Sequence, residues 1–362
     1  MSAPYEKRKE NLQKLINNPH EAFLLTDEVN IGYFCGFFHS EGYLLITQEA
    51  AVLLVDFRYI EAARQKAVGC EVICYKKLSE DLSSQLKKHG VSALHVEASH
   101  MTVQALNTLS DKLKENGTEL ISDGKLDSRI TSLRIIKDDT ELEKISKAQQ
   151  IAEKAYLEML NYLKPGVRER ELSARLEYLM KMNGAEDISF DLITVTGKKT
   201  SLPHGVPADD VVCAGDFFTC DFGAVYEGYH SDTTRTVAVK SATDEMKQVY
   251  DVVLRAQLAA LKTIKAGVEA HEVDKTARDI IANAGYGDYF GHSTGHGVGL
   301  NIHEAPYASP RGKEVLRSGM VLTDEPGIYL PNKFGVRIED MVCVTENGCR
   351  NFVNLPKGLI IV

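Results

Sequence analysis

The sequence of 362 residues lacks the features that mark several large classes of protein. Its net charge of −9 gives it no excess of positive charge with which to bind a polyanion such as nucleic acid. It has no apolar run long enough to cross a membrane, since a run such as Ala51–Val55 has only the length of a strand. The N-terminal segment is charged and lacks the apolar core of a secretory signal. We therefore expect neither nucleic acid nor a membrane as a partner.

Cysteine is scattered along the chain, and its seven residues form no CxxC pair. Structural zinc sites are commonly built on such closely spaced pairs, so a structural zinc ion is not expected. An odd number of separated cysteines also does not suit a disulfide framework and favours reduced thiols. The sequence thus predicts a cytoplasmic protein.

Three common catalytic motifs are also missing. The segment Gly197–Thr200 lacks the upstream glycine of a Walker A loop, because position 192 is leucine. The glycines around His296 have the spacing Gly-x-Gly-x-Gly, with no βαβ pattern around them, and do not form a dinucleotide fingerprint. No HExxH sequence occurs, which excludes the zincin type of zinc peptidase.

Residues 1–128 alternate between strand-like and helical patterns, which favours a small α/β domain. The predicted strands are Ala22–Leu25, Tyr43–Thr47, Ala51–Val55, Glu71–Tyr75, Ala93–Val96 and Glu119–Ser122. The predicted helices are Ile60–Ala67, Asp81–His89 and Thr102–Glu115. A polar segment with an Asp-Gly turn signal follows at 123–137, and we place the domain boundary within it, after residue 128.

The second predicted domain, residues 129–362, alternates pairs of helices with strand-rich sequence. Asp138 or Asp139 is a plausible helix cap, with Glu141 in the first turn, and the helix ends before Pro165. Further helices are predicted at 169–182, 244–265 and 271–284. The order helix–helix–hairpin therefore occurs twice, which predicts two similar halves that face each other.

The first of two acidic pairs flanks a predicted hairpin. Asp221 and Asp232 stand on either side of the sequence Ala-Val-Tyr-Glu-Gly-Tyr, which is typical of a turn between strands. A turn on Tyr226 and Glu227 would set the two carboxylates directly opposite each other. A turn on Glu227 and Gly228 would leave them one diagonal step apart.

Glu325 and Glu339 repeat this arrangement around a loop centred on Asn332, which would make them cross-strand partners. Directly opposed side chains lie about 5 Å apart at Cβ, where like charges destabilise a sheet. Two such pairs in one chain indicate that a positive ion lies between them. A cluster of divalent metal ions is the simplest candidate.

Histidines near these pairs narrow the type of metal. His292, His296 and His303 lie close together around a glycine-rich loop, and a histidine ligand favours manganese, cobalt, iron or zinc over calcium or magnesium. His204 lies between two prolines, on a loop rigid enough to hold a side chain in place. Arg337 shares a strand face with Glu339, so its guanidinium could brace the metal site or contact a ligand.

Asp324 and Asp340 are predicted to point to the opposite face from the acidic pairs. Each is adjacent to one of the glutamates, and successive side chains of a strand alternate between its two faces. We therefore interpret them as solvated or structural carboxylates rather than metal ligands.

Five motifs in order resemble those of the pita-bread metallopeptidases, the family that includes methionine aminopeptidase, aminopeptidase P, prolidase and the metal-free hydrolase creatinase. They are the runs 221–224, 228–236, 295–299, 325–329 and 335–340. Pro203-His204-Gly205, His303-Glu304 and the N-terminal runs 42–47 and 56–59 resemble the aminopeptidase P and prolidase branch. The resemblance covers essentially the whole chain. It implies an α/β N-terminal domain before a catalytic domain with pseudo-twofold halves around a curved antiparallel sheet.

The resemblance also implies the chemistry of the site. Two divalent ions would be held by Asp221, Asp232, His296, Glu325 and Glu339. Mn²⁺ or Co²⁺ is the expected metal for both ions, and Zn²⁺ or Fe²⁺ is the alternative. A hydroxide held between the ions would attack the scissile carbonyl, with Glu325 as proton shuttle. His204 and His303 would contact the scissile carbonyl and the oxyanion, and His292 and Arg337 would bind substrate or brace the site.

The implied substrate is a peptide with proline in second place, and the implied assembly is a homodimer. Xaa-Pro aminopeptidase activity is the first expectation, and Xaa-Pro dipeptidase (prolidase) activity is the main alternative. A creatinase-like hydrolase without metals and a binding module without catalysis are further alternatives. The complete set of five ligand residues argues against both of these.

Overall fold

The chain divides into two units, Met1–Arg134 and Ile135–Val362. The structure is a computed structural model that describes residues 3–38 and 41–362. The charged N-terminal segment thus begins with two residues outside the described part. A helix at Lys125–Arg134 contains the predicted domain boundary after residue 128, and that boundary stays a prediction.

The first unit contains one mixed sheet and six helices among its described residues. Its strands are β1 (Glu21–Leu25), β2 (Gly42–Ile46), β3 (Ala51–Val55), β4 (Glu71–Cys74), β5 (Ala93–Val96) and β6 (Glu119–Ile121). Its helices are α1 (Ala3–Gln13), α2 (Glu28–Cys35), α3 (Ile60–Lys66), α4 (Leu78–Lys88), α5 (Val103–Lys114) and α6 (Lys125–Arg134). The sheet order is β4-β3-β2-β1-β5-β6, antiparallel among the central strands β3, β2 and β1 and parallel towards both edges.

All six strands and three helices predicted for this unit are confirmed, with ends shifted by at most a few residues. The sequence analysis missed α1, α2 and α6, and the reasons differ. Helix α1 is charged almost all round, so it lacks an apolar stripe. Helix α2 is buried along Ile31–Cys35, so it lacks a polar face. Its cap is nevertheless ordinary, because the Asp27 carboxylate accepts from the N–H of Val29 at 3.2 Å.

The second unit contains four long helices and thirteen short strands among its described residues. The helices are α7 (Asp139–Leu160), α8 (Glu169–Met182), α9 (Asp244–Thr263) and α10 (Ala270–Asn283). The strands before α9 are β7 (Asp187–Ile188), β8 (Ile193–Thr196), β9 (Phe217–Phe222), β10 (Ala224–Tyr226), β11 (Tyr229–His230) and β12 (Thr233–Ala238). The strands after α10 are β13 (Gly295–Gly297), β14 (Glu304–Ala308), β15 (Val321–Asp324), β16 (Gly327–Leu330), β17 (Phe334–Arg337), β18 (Asp340–Thr345) and β19 (Gly348–Asn351).

The capped start of α7 confirms the prediction in detail. The Asp138 carboxylate accepts from the N–H of Glu141, and the Glu141 carboxylate accepts from the N–H of Asp138, both at 3.0 Å. This reciprocal pair is a capping box. The predicted order of two helices followed by a hairpin is found twice, with α7 and α8 before β9–β12 and with α9 and α10 before β15–β18.

The core of the second unit lies where α9 and α10 pack on the strands. Its fully buried members include Val253, Ala277, Leu322 and Val342. The functional strands therefore have a rigid apolar support on one side. No helix in the described part of the chain has the length and apolar character needed to cross a membrane.

Candidate metal centre

One cavity of about 540 Å³ gathers every residue that the sequence analysis singled out for chemistry. Phe190, Ile193 and Tyr307 add apolar surface to its lining. The predicted residues in the lining are His204, Asp221, Asp232, His292, His296, His303, Glu325, Arg337 and Glu339. Their individual roles stay predictions, and the geometry below describes what each side chain contacts.

The first acidic hairpin has the tighter of the two turns. Tyr226 pairs with Tyr229, so the turn consists of Glu227 and Gly228, with φ values of 46° and 78°. Two positive φ values are typical of a type I′ turn. In the continuing ladder Asp221 lies opposite Thr234, and Asp232 is therefore one diagonal step from Asp221. The second of the two turns considered in the sequence analysis is the observed one.

The second acidic hairpin has the predicted three-residue loop, and Asn332 takes a positive φ of 61°. Gly327 pairs with Arg337 on one side of the glutamates, and Asp324 pairs with Asp340 on the other. Both pairings have the same register, which sets Glu325 and Glu339 opposite each other. The predicted cross-strand arrangement is confirmed.

His296 lies on β13, between strands that approach the backbone closely. A Cβ atom on the neighbouring Gly295 would lie 2.0 Å from the carbonyl oxygen of Thr323, so only glycine fits there. The Nδ1–H of His296 donates to the carbonyl of Gly297 at 3.1 Å. Its Nε2 then faces two carboxylate oxygens, at 3.5 Å from Asp232 and 3.4 Å from Glu325.

These contacts fit a divalent metal. Burial lowers the pKa of His296 to about 4, so the ring is neutral and its free Nε2 carries a lone pair. A lone pair that faces carboxylates is repulsive unless a cation lies between them. A ligating histidine usually donates its other N–H to a carbonyl or carboxylate, as His296 does. Ligand atoms of Asp232, His296 and Glu339 also lie within 4.8 Å of one another.

Three of the acidic residues have raised pKa values, as expected for buried carboxylates that would surround a positive ion. Burial, followed by repulsion from Asp221 and Glu325, raises the pKa of Asp232 well above its usual range. Burial and the charge of Asp232 do the same for Glu339. Burial raises the pKa of Glu325 to about 8, against the opposing pull of Arg337. One oxygen of Asp221, Oδ1, is buried without a hydrogen-bond partner. Bound cations would compensate all of these penalties.

Arg337 braces the site from the second hairpin. Its Nη2 donates to Asp221 Oδ2 at 2.6 Å, and its Nε donates to Thr234 Oγ1 at 2.9 Å. Its Nη1 donates to the Tyr329 hydroxyl at 2.7 Å and to the carbonyl of Pro203 at 3.3 Å. The guanidinium thus reaches the acidic site, as its strand phase predicts, and four of its five N–H donors are engaged by the protein itself.

His292 is also held by protein contacts. Its Nδ1–H donates to the carbonyl of Ser293, and its Nε2 accepts from the Tyr329 hydroxyl, both at 2.8 Å. Burial lowers its pKa to about 4, followed by the charge of Arg337. With both nitrogens engaged, His292 presents its ring rather than a hydrogen bond to the cavity.

His303 and His204 lie on loops at the cavity. The ring of His303 packs edge-on against His296, with centroids 4.3 Å apart. Burial lowers the pKa of His303, so this ring is neutral at physiological pH. Glu304, the next residue, accepts from the buried ammonium of Lys137 at 2.7 Å, which fixes the backbone that carries His303.

Asp324 and Asp340 lie on the far face of their strands, as predicted, and both are fully buried. Asp340 is a structural carboxylate, with Arg235 at 2.8 Å and Lys357 at 2.5 Å. Neither residue is solvated, so that part of the interpretation is wrong. The strands behind the site are covered by core, and burial raises the pKa of Asp324 well above its usual range.

Sequence reasoning missed three supporting residues. Thr234 Oγ1 donates to Glu339 Oε2 at 2.7 Å, and the Tyr329 hydroxyl joins His292 to Arg337. Asp274 accepts from the N–H and hydroxyl of Thr294, both at 3.0 Å, and so fixes the start of the histidine loop. Strand phase could have identified Tyr329, which is four positions from Glu325 and thus on the same face. Asp274 lies on a distant helix, and no local signal marks it.

Buried carboxylates gathered around a neutral imidazole are typical of enzymes that depend on a divalent metal. A sequence profile of metallopeptidase family M24 matches residues 143–346, and a profile of the creatinase/prolidase N-terminal domain matches residues 8–136. The chain belongs to metallopeptidase family M24 and is a hydrolase. Its structural neighbours have the pita-bread fold, which confirms the predicted fold class.

Similar proteins cover nearly the full chain. An Xaa-Pro dipeptidase of Pyrococcus horikoshii is 41% identical over 356 residues, which are 98% of this chain and 99% of that protein. The structure of an Xaa-Pro dipeptidase from Bacillus anthracis has a TM-score of 0.94 at 40% identity and covers 99% of this chain and 100% of its own. An X-Pro aminopeptidase from Thermotoga maritima has a TM-score of 0.90 at 37% identity, with 98% and 99% covered.

Proposed function

We propose that this chain hydrolyses the peptide bond between an N-terminal residue and a following proline, as an Xaa-Pro dipeptidase. The observation that carries the proposal is the cluster of buried carboxylates around the free Nε2 of His296. The names of the relatives supply the substrate class. They favour the dipeptidase over the aminopeptidase, which the sequence analysis placed first.

In this proposal Asp221, Asp232, His296, Glu325 and Glu339 hold two divalent ions, with Mn²⁺ or Co²⁺ as the first choice. When bound, such ions polarise a carbonyl group and activate water. The mixed carboxylate and imidazole donor set suits these metals better than calcium or magnesium. The neutral state of His296 supports this, because only a neutral imidazole binds a metal.

Glu325 is the proposed proton shuttle. Its raised pKa of about 8 shows how readily this buried carboxyl takes up a proton when no cation is near it. The hydroxyl of Thr323 donates to Oε1 at 3.2 Å and orients the group. A carboxylate held in this way can take a proton from water and pass it to the leaving nitrogen.

His303 and His204 are the proposed donors to the oxygen of the scissile carbonyl. A neutral imidazole carries one N–H, which it can donate to a developing oxyanion. The packing of His303 on the ring of His296 supports this role for His303. Proline has no N–H, so a substrate with proline in second place offers a tertiary amide that an ordinary peptidase groove does not accommodate.

Xaa-Pro aminopeptidase activity on longer peptides is the second candidate, and the charge of the cavity favours it. A dipeptidase must bind the carboxylate of its substrate, which is commonly done by a cation. Arg337 is the one lysine or arginine among the described lining residues, and Asp221, Thr234, Tyr329 and Pro203 occupy four of its five N–H donors. A longer peptide would place its carboxylate outside the cavity.

Product analysis by mass spectrometry on Ala-Pro and Ala-Pro-Ala, with the manganese-loaded protein and a chelated control, tests both candidates. Cleavage of the dipeptide alone supports the dipeptidase. Release of alanine from the tripeptide supports the aminopeptidase. If neither peptide is cleaved while metal is bound, the proline assignment is wrong. The cytoplasm stays the proposed compartment. A homodimer stays the proposed assembly, and light scattering measures its mass.

A further inference from the structure

Two thiols in the N-terminal unit lie side by side. Cys35 is the last residue of α2, and Cys70 directly precedes β4. The N–H of Val68 donates to the carbonyl of Cys35 at 2.8 Å, which holds the segment before Cys70 against the end of the helix. The two thiols lie close enough for each to shift the pKa of the other. Neither residue belongs to the lining of the metal cavity.

The two thiols differ in burial, and the positive charge of Lys9 lowers the pKa of both. Cys35 is 1% exposed, whereas Cys70 is only half-buried. The ammonium group of Lys9 donates to the carbonyl of Gly69, the residue next to Cys70. A Cβ atom on Gly69 would lie 2.6 Å from that ammonium nitrogen, which confirms how closely Lys9 covers this turn. A positive charge therefore lies beside the more accessible thiol.

This arrangement favours loss of a proton from Cys70 rather than from Cys35. The hydrogen bond from Cys35 lowers the pKa of the Cys70 thiol, and Lys9 lowers it further, against the effect of partial burial. The same contact, followed by burial, raises the pKa of Cys35 well above its usual range. A half-buried thiol with a lowered pKa and a second thiol beside it is the arrangement found in cysteines that react with oxidants.

We propose that Cys70 and Cys35 form a peroxide-reactive pair, in which Cys70 attacks the peroxide and Cys35 is the resolving thiol. The Cys70 sulfur attacks one oxygen of hydrogen peroxide, the O–O bond breaks, and the leaving hydroxide takes up a proton to become water. Cys70 is then a sulfenic acid. Cys35 loses its proton and attacks the Cys70 sulfur, the S–O bond breaks, and a second water leaves. Two thiols and one peroxide thus give one disulfide and two waters.

Cys213 provides an internal comparison. It is exposed, and its thiol contacts the carbonyl oxygen of Val211 at 3.5 Å rather than another cysteine. If accessibility alone decided the reaction, Cys213 would be oxidised first. Contact with a resolving thiol and a nearby ammonium predicts instead that Cys70 reacts first.

The test treats the reduced full-length protein with hydrogen peroxide and maps its cysteines by non-reducing peptide mass spectrometry. We expect a Cys35–Cys70 peptide with a mass about 2 Da below the sum of the two thiol peptides, reversed by a thiol reductant. It should form before Cys213 is modified, and equally fast in Cys213→Ser. Absence of the linked peptide, or modification of Cys213 ahead of Cys70, would overturn the proposal.

Two variants separate the roles of the pair. In Cys35→Ser we expect a sulfenic acid on Cys70 that dimedone traps, because no resolving thiol remains. Lys9→Gln leaves both thiols and the buried helix end in place. We expect it to slow the alkylation of Cys70 by iodoacetamide by about threefold to tenfold, with Cys213 unchanged as the reference. An unchanged rate at Cys70 would show that Lys9 does not activate it and would overturn that part of the proposal.

Discussion

The two acidic hairpins of the second unit bring their carboxylates together by different geometries. In the first, a two-residue turn leaves Asp221 and Asp232 one diagonal step apart. In the second, a three-residue loop sets Glu325 and Glu339 directly opposite each other. The sequence distances are similar, and the number of turn residues decides the register. The two halves thus follow the same order of elements without the same placement of ligands.

Each hairpin is completed by a side chain from the other. Arg337 of the second hairpin donates to Asp221 of the first at 2.6 Å, and Thr234 of the first donates to Glu339 of the second at 2.7 Å. The two partners differ in charge, since Arg337 contacts the first hairpin with a guanidinium and Thr234 contacts Glu339 with a neutral hydroxyl. Both carboxylates therefore depend on the pairing of the halves, and we expect Asp221, which has the charged partner, to depend on it more.

Metal removal should have the largest effect, because no cation then compensates the charge of the buried carboxylates in both hairpins. We expect activity to be lost completely. The pKa of Glu325 is raised to about 8 from 4.5, so the folded chelated protein binds more protons than the unfolded chain between these values. Its free energy of unfolding should therefore fall as the pH rises from about 5 to about 8. Thermal unfolding followed by circular dichroism measures this.

The metal-loaded protein is the control, since its carboxylates are already ionised and compensated. We expect it to lack the fall in stability over the same pH range. Parallel pH curves for the two forms would show that the buried carboxyls are not part of a metal site.

Replacing Glu325 by Gln should have the next largest effect. The amide cannot accept and return a proton, so we expect kcat/KM to fall by about 10²- to 10⁴-fold. The fold should persist, because the amide retains the shape of the side chain. Steady-state kinetics on an Xaa-Pro peptide, together with a circular dichroism spectrum, checks both statements. Glu346→Gln, a neutralisation at the end of β18 and outside the cavity lining, is the matched control. Near-normal turnover in Glu325→Gln would refute the shuttle.

Strand periodicity predicted much of the site, because alternation and turn position are local properties of the sequence. They placed Glu325 opposite Glu339 and brought Arg337 to the acidic face. They could not choose between the two turns after Asp221, because Glu227 and Gly228 adopt positive φ only in the folded hairpin. The segment of helix α6 shows only a polar pattern with a turn signal, since its buried Leu126 and Ile130 are surrounded by polar residues. Contacts between distant segments, such as Asp274 with Thr294, leave no local pattern.

The unequal bracing can be tested with one variant on each side. Arg337→Lys retains the charge but loses the fork that contacts Asp221, Thr234 and Tyr329 together. Thr234→Val removes one hydroxyl at nearly constant volume. Loss of an outer contact to a ligand typically lowers metal affinity by about 10- to 100-fold. We expect the loss of metal affinity to be near the upper end of this range for Arg337→Lys and near the lower end for Thr234→Val. Calorimetry measures it as the change in the Kd for Mn²⁺.

Counterparts outside the cavity lining control for the chemistry of these substitutions. Arg255→Lys lies on α9 in a solvent-exposed pair with Asp251, and Thr263→Val removes a half-buried hydroxyl that bonds to a helix carbonyl and to Thr276. Neither should change the Kd. If Thr234→Val weakened Mn²⁺ binding more than Arg337→Lys, the second hairpin would be the more dependent one, and the comparison would reverse.

The smallest effects should come from the turns themselves, and they should have opposite signs. Glu227 holds a positive φ of 46° that costs a residue other than glycine or asparagine about 1 kcal/mol. Glu227→Asn removes this cost and also removes the ion pair of Glu227 with Lys144. The free energy of unfolding should therefore rise by about 0.5 kcal/mol as the net effect. Asn332→Ala should lower it by about 1 kcal/mol. Urea denaturation measures both. Since neither residue lines the cavity, kcat/KM should stay within about twofold. A larger change would mean that the turn, and not the strand pairing beyond it, sets the position of the carboxylates.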